Sequence, residues 1–191
     1  MVFNKIMKTI VLGFFSLLFT LAAEGAPPMM ITANSPDHVR VETFAKSGGI
    51  VLHDSQKYVT PDIFRPPVDI SIVAKTDSTN LRMAYAASQV IFNWEMDRSQ
   101  LRVDGGPADG HHKPGAGEIP VDKYVVIRWE VTPMHQAIYV DGELRFEHCG
   151  DYSGIDNPVS VFPAEGSTVT VKSITVTQLG IYNPVPTVTR R

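Results

Sequence analysis

The sequence predicts an all-β protein, a two-sheet antiparallel jelly-roll β-sandwich, on three observations. Apolar residues recur at every second position in nearly every segment beyond the N-terminus. Turn-forming residues stand between these segments at short intervals. No stretch after the N-terminal apolar run carries a sustained helical period with caps. A period of two marks strands with one face in a core and the other wetter. Many short strands of this kind, joined by turns, stack as two sheets.

The first element is not part of the fold. Lys5 and Lys8 precede the apolar run Ile10–Ala23, which ends in small residues. A basic start, a short apolar run and a small-residue exit describe a secretory signal peptide. The run falls short of the ~20 residues that span a bilayer. Residues 1–25 are therefore expected to be removed near Gly25, giving a secreted, periplasmic or extracellular chain with no transmembrane segment in its mature form. An N-terminal extension over 26–37, a sandwich domain over 38–180 and a flexible tail over 181–191 complete the expected organisation. One sizeable core fits the remaining length, and two do not.

Charge and cysteine content narrow the partners. The formal net charge is −3, and loss of Lys5, Lys8 and Glu24 makes the remainder one unit more negative. Mild acidity without a basic cluster argues against nucleic acid. Cys149 is the sole cysteine, so no internal disulfide forms and stability must come from apolar burial. The thiol is expected to sit in the interior as a small hydrophobe.

The strands follow in order. Val68, Ile70, Ile72 and Ala74 alternate with Asp69, Ser71, Val73 and Lys75. "TDSTN" is a turn, after which Leu81, Met83 and Tyr85 share one side. Val90, Phe92 and Trp94 alternate with Ile91, Asn93 and Glu95. Val125, Ile127, Trp129 and Val131 oppose Val126, Arg128 and Glu130. "IYVDGELRF" reads as two strands about Asp141-Gly142, a dipeptide suited to a type I′ hairpin turn. The apolar parity shifts between Val171 and Ile174, which predicts a bulge at Lys172-Ser173. The glycine- and proline-rich "DGGPADGHHKPGAGE", Asp104 to Glu118, is a long surface loop, either a binding loop or an insertion without a role.

With these segments on the page, "RPPVDISIVAKT", "YVVIRWEVTPMHQAIYVDGELRF" and "GSTVTVKSITV" resemble the concanavalin A-like lectin/glucanase superfamily. Within it they look most like the laminin-G-like and 3-keto-disaccharide hydrolase branch. The resemblance spans roughly Val41 to Leu179. It implies an extracellular jelly roll whose curved face or rim loops meet carbohydrate. It does not choose among lectin, glycosidase and adhesion domain, because one fold hosts several functions.

"VIFNWEMDRSQLRV" tests the catalytic option. Glu95-x-Asp97-x-x-Gln100 resembles the Glu-x-Asp-x-x-Glu signature of laminarinase-type hydrolases, with Gln100 in place of its last acid. An amide cannot shuttle a proton as a carboxyl does. The three positions share a strand face only if a bulge intervenes; otherwise "DRSQ" is a hairpin loop and the spacing is accidental. The balance leans away from an enzyme. The rival is a glycoside hydrolase of the 3-keto-disaccharide hydrolase-like type, drawing acids from Asp69, Glu95, Glu130 or Asp151.

The favoured expectation is a non-catalytic module whose partner is a carbohydrate or glycoconjugate, with a protein-binding adhesion or scaffold domain as a further alternative. The wetter parity offers Arg82, Asn93, Glu95, Arg128 and Glu130 as ligand-binding residues, since guanidinium and carboxylate groups pair with sugar hydroxyls. The competing expectation is that these groups pair across strands. Tyr152, between Gly150 and Gly154, is a candidate exposed platform or a cover for the core edge. Trp94 and Trp129 fall on the apolar parity and are expected in the core. Asp104, Asp109, His111 and His112 could offer ligands to calcium, but they match no calcium-loop spacing, and two histidines leave a zinc site incomplete. No cofactor is expected.

Overall fold

The computed structural model describes residues His38–Leu179. The expected signal peptide, N-terminal extension and C-terminal tail lie outside these residues. Among the described residues, no helix is long and apolar enough to cross a membrane.

Among the described residues, eleven strands run in chain order: β1 His38–His53, β2 Tyr58–Val59, β3 Val68–Thr76, β4 Leu81–Ala84, β5 Gln89–Phe92, β6 Arg102–Asp104, β7 Val125–Thr132, β8 His135–Val140, β9 Glu143–Cys149, β10 Ser160–Phe162 and β11 Thr168–Leu179. They form two antiparallel sheets. One has six strands in the order β1-β11-β3-β7-β8-β9, and the other five in the order β2-β10-β4-β5-β6. The fold is thus the two-sheet antiparallel jelly-roll sandwich that the alternation predicts.

Alternation explains the layering. Ile70, Ile72 and Ala74 of β3 and Ile127 and Trp129 of β7 are fully buried on the inner side of the larger sheet. Leu81 and Met83 of β4, Val90 and Phe92 of β5, and Val103 of β6 are equally buried on the inner side of the smaller one. Each buried Val, Leu, Ile, Phe or Met side chain among them contributes roughly 1.5–3 kcal/mol relative to an exposed one. Trp129 also donates its indole N–H to Gln136 Oε1 at 2.9 Å, so its one polar atom is satisfied inside the core.

The local predictions at the turns hold. Asp141 and Gly142 both have positive φ, 50° and 85°, as a type I′ turn requires. The register of β11 against β3 slips between Val171 and Ser173, which places the bulge at Lys172. Cys149 departs from expectation. It is exposed, because it ends β9, which borders the six-stranded sheet.

The glycine-rich loop is neither a free insertion nor a strand. Lys113 and Leu101 exchange both backbone hydrogen bonds at 2.9 Å, and Gly117 donates to Ser99 O at 2.8 Å. Ala108, Ala116 and Ile119 are buried. Arg145 of β9 donates to the carbonyl of Glu118 at 3.3 Å, and the His148 ring lies 4.5 Å from that of His111. The segment therefore seals the side of the sandwich between β6 and β9. Gly105 and Gly106, both at positive φ, let it leave β6 hard against Ser88 and Ala86.

Candidate functional site

The structure distributes the six sequence-chosen residues over three environments. Arg82 and Glu95 lie on the outer side of the five-stranded sheet, where they pair at 3.6 Å. Arg128 and Glu130 lie on the outer side of the six-stranded sheet, at the other side of the molecule. Asn93 and Tyr152 are in the interior, each 0 % exposed.

Asn93 corrects the expectation of a wet-face ligand residue. Its φ of 49° ends β5 and turns the amide inward, where Nδ2 donates to Ile119 O at 3.0 Å and Oδ1 accepts from Ile119 N at 2.9 Å. Both amide groups are used in fastening the end of the sealing loop. Tyr152 is not an exposed platform either. Its hydroxyl lies 2.8 Å from His148 Nδ1, and burial pushes the phenol up to about 12.

On the six-stranded sheet, Arg128 forms two-pronged bonds to Asp69 at 2.7–3.0 Å and pairs with Glu130. Asp69 and Glu130 are directly opposite across β3 and β7, so the guanidinium separates two like charges that would repel. The Asp69 hydrogen bonds, chiefly, raise the Arg128 pKa against the effect of burial. This is the cross-strand ion pairing weighed against ligand contact.

The outer face of the five-stranded sheet is organised differently. Register places Phe162, Arg82, Ile91 and Arg102 in one row across β10, β4, β5 and β6, about 14 Å at ordinary strand spacing. Two residues further along each strand, a second row holds Ser160, Ala84, Gln89 and Asp104, with Val59 of β2 beside Ser160. A hydrogen-bonded relay crosses these rows. Arg82 donates to Asn80 Oδ1 at 2.9 Å and to Gln89 Oε1 at 3.2 Å. Gln89 donates to Asp104 Oδ2 at 2.8 Å, and Arg102 Nε donates to the same oxygen at 2.9 Å. The Arg102 guanidinium then stacks over the Trp94 ring at 4.5 Å.

This relay fixes the side chains and still leaves groups for a ligand. Both bonds to Asp104 fall on Oδ2, which leaves Oδ1 to accept, and Arg102 uses only Nε within the relay. Burial alone would push the Asp104 carboxyl up, but hydrogen bonds from Arg102 and Gln89, with the nearby charges of Arg102 and His112, hold it below the ordinary value. It therefore stays ionised and accepting. Small side chains at Ala84 and Ser160 leave a shallow depression of about 240 Å³ beside the relay, rimmed by Lys57, Ser88 and Asn157.

Sequence parity does not bring Trp94, Gln89 or Arg102 to this face, and it offers Asp104 only as a possible calcium ligand. Carried through Asn93, the alternation of β5 predicts Trp94 in the core; the positive φ there ends the strand, and the ring is only partly buried. Arg102 and Asp104 flank buried Val103, and that parity was the available signal.

The catalytic and metal candidates do not assemble. Asp97, Arg98, Ser99 and Gln100 form a turn, with Gln100 N donating to Asp97 O at 3.0 Å, and Asp97 Oδ1 accepts from the Ser99 hydroxyl at 2.8 Å. Glu95, Asp97 and Gln100 therefore do not share a strand. Of the other acids, Asp69 and Glu130 sit on the six-stranded sheet, whereas Asp151 accepts from Ser153 in the loop after β9. In the sealing loop, Asp109 Oδ1 accepts from Gly105 N at 2.6 Å and His112 Nδ1 accepts from Val103 N at 3.1 Å. Among the described residues, no group of three or more His, Cys, Asp or Glu side chains is placed to hold a metal ion.

No family model matches the chain, and no curated protein does. Solved structures do. A structure described as a native glycosidic hydrolase shares 10 % identity at a TM-score of 0.53, covering 75 % of this chain and 90 % of its own. The exoplasmic/lumenal domain of VIP36, in its Ca2+/Man-bound form, gives 7 % identity and 0.53, covering 81 % and 88 %. A Bacillus licheniformis β-glucanase gives 8 % and 0.51, covering 76 % and 94 %. The chain has the concanavalin A-like lectin/glucanase jelly-roll fold. Both hydrolases and a Man-bound domain share it, so the fold does not decide between catalysis and binding.

Proposed function

We propose that this chain is an exported, non-catalytic carbohydrate-binding module that takes sugar on the outer face of its five-stranded sheet. The observation that carries the reading is the relay Arg82–Gln89–Asp104–Arg102 with Trp94 at its end, held in place beside a depression. Sugar recognition combines planar hydrogen-bonding groups with an aromatic surface for the C–H face of a pyranose. Side chains already locked by their neighbours lose little entropy when a ligand arrives. Similarity in fold to glycoside hydrolases and to a Man-bound domain supports a sugar as occupant. The basic and apolar N-terminal run supports export.

Binding is preferred to hydrolysis on chemical grounds. A glycosidase pairs a proton donor of raised pKa with a second carboxylate. Here Asp104 is held ionised and Glu95 faces Arg82.

Titration calorimetry of the full chain against a panel of oligosaccharides tests the reading. Binding is expected, weakened in Arg82→Ala and Trp94→Ala. Binding to a protein partner with no carbohydrate binding would replace it with an adhesion domain. Turnover abolished by Glu95→Gln would replace it with a hydrolase.

A further inference from the structure

Resting on that reading, we infer that the sugar bound in the depression carries a negative charge, and that Lys57 selects it. The charges of the face are otherwise matched: Arg82 has Glu95, and Arg102 has Asp104. Asp156, next to the rim residue Asn157, is taken up by Arg65 at 2.6 Å. Lys57 is the exception. Its ammonium lies 4.4 Å from the centre of the Phe162 ring, and it forms an ion pair with none of the described carboxylates.

The surroundings of Lys57 fit an anion. It lines the depression together with Val59, Ala84, Ser88, Asn157 and Ser160, and no acidic residue is among the lining groups. Serine hydroxyls can donate to a carboxylate or a sulfate ester, as can the second N–H of the Asn157 amide, whose first goes to Tyr85 O at 2.9 Å. Contact with the Phe162 face holds the ammonium at the rim instead of letting it swing free in solvent. In a chain of net charge −3, general attraction does not draw anions, so a local uncompensated cation is required for that selectivity. The same geometry lets the neutral hydroxyls of the sugar reach the Arg82–Asp104 relay, while its charged substituent meets Lys57.

The test compares a tetra-galacturonate, its carboxyl-reduced neutral counterpart and a sulfated galactose oligosaccharide, titrated into the full chain at low salt. An anionic sugar is expected to bind roughly five- to tenfold more tightly than the neutral one, the size of one charge-assisted contact at a partly exposed site. The carboxylate and sulfate arms identify which anion is preferred. The preference is expected to shrink with added salt, vanish in Lys57→Gln and survive in Lys57→Arg, whereas Arg82→Ala weakens all arms alike. Equal affinity for anionic and neutral sugars, or a preference unchanged in Lys57→Gln, overturns the inference and leaves the binding face intact. Failure of every arm overturns the binding face itself.

Discussion

On the outer side of the six-stranded sheet, Arg128 is locked onto Asp69 and Glu130, and its charge is consumed within the protein. On the outer side of the five-stranded sheet, Arg82 is held by the amide oxygens of Asn80 and Gln89, with Glu95 standing off at 3.6 Å. The two arginines occupy equivalent outward positions on strands, flanked by buried apolar neighbours. What separates them is the chemistry of the partners. Carboxylates in direct contact tie up a guanidinium, whereas amides orient it, and Glu95 balances the Arg82 charge from 3.6 Å without locking its N–H groups. An outward arginine is thus a structural tie in one sheet and, on the proposed function, a ligand group in the other.

Variants can break or sharpen this contrast. The largest effect is expected from Asn93→Ala, which strips both hydrogen bonds from the buried Ile119 backbone and places alanine at a positive φ. A loss of about 3 kcal/mol in denaturant unfolding follows from leaving buried polar groups unpaired; a loss below about 1 kcal/mol would show that the loop is not fastened there. Next, Arg82→Ala is expected to weaken sugar binding by roughly tenfold or more, since it removes charge-assisted donors from the face, and to lower stability by about 1 kcal/mol, since the buried Asn80 Oδ1 loses its donor. Arg128→Ala separates the two effects. Sugar affinity should be unchanged, while stability falls by about 1 kcal/mol at low salt and less at high salt, because Asp69 and Glu130 are left facing each other.

Much of the fold was legible because period two survives burial. Strands β3, β7 and β11 announce themselves by alternation, the β8–β9 hairpin by Asp141-Gly142, and the Lys172 bulge by a parity slip. The site was only half legible. Parity says that Arg82 and Arg128 point outward, but not which sheet each joins, since that depends on long-range pairing. The end of β5 was hidden because a left-handed asparagine looks, in sequence, like one more alternating polar residue; carrying the alternation through Asn93 misplaced both that amide and Trp94. Tyr152 sits in a segment without a period, so the sequence leaves an exposed platform and a cover for the core edge equally open, and the structure packs it inward against His148.

The smallest effect concerns pH and the edge of the sandwich. Burial, with the charges of His111 and His135, lowers the His148 pKa below histidine's ordinary 6.5. The unfolded chain then binds more protons than the folded one just below pH 6.5, so stability rises with pH across that window and is lost as pH falls through it. His148→Gln should flatten this slope in melting curves taken between pH 5 and 7.5, roughly the histidine range. An unchanged slope would locate the dependence elsewhere.

The central claim is that the two outer faces differ in function. Backbone and side-chain NMR shifts of the full chain, followed during titration with a bound oligosaccharide, test it most directly. Perturbations are predicted to concentrate on Arg82, Gln89, Arg102, Asp104 and the Trp94 indole. Shifts centred instead on Arg128, Glu130 and Tyr139 would contradict the account.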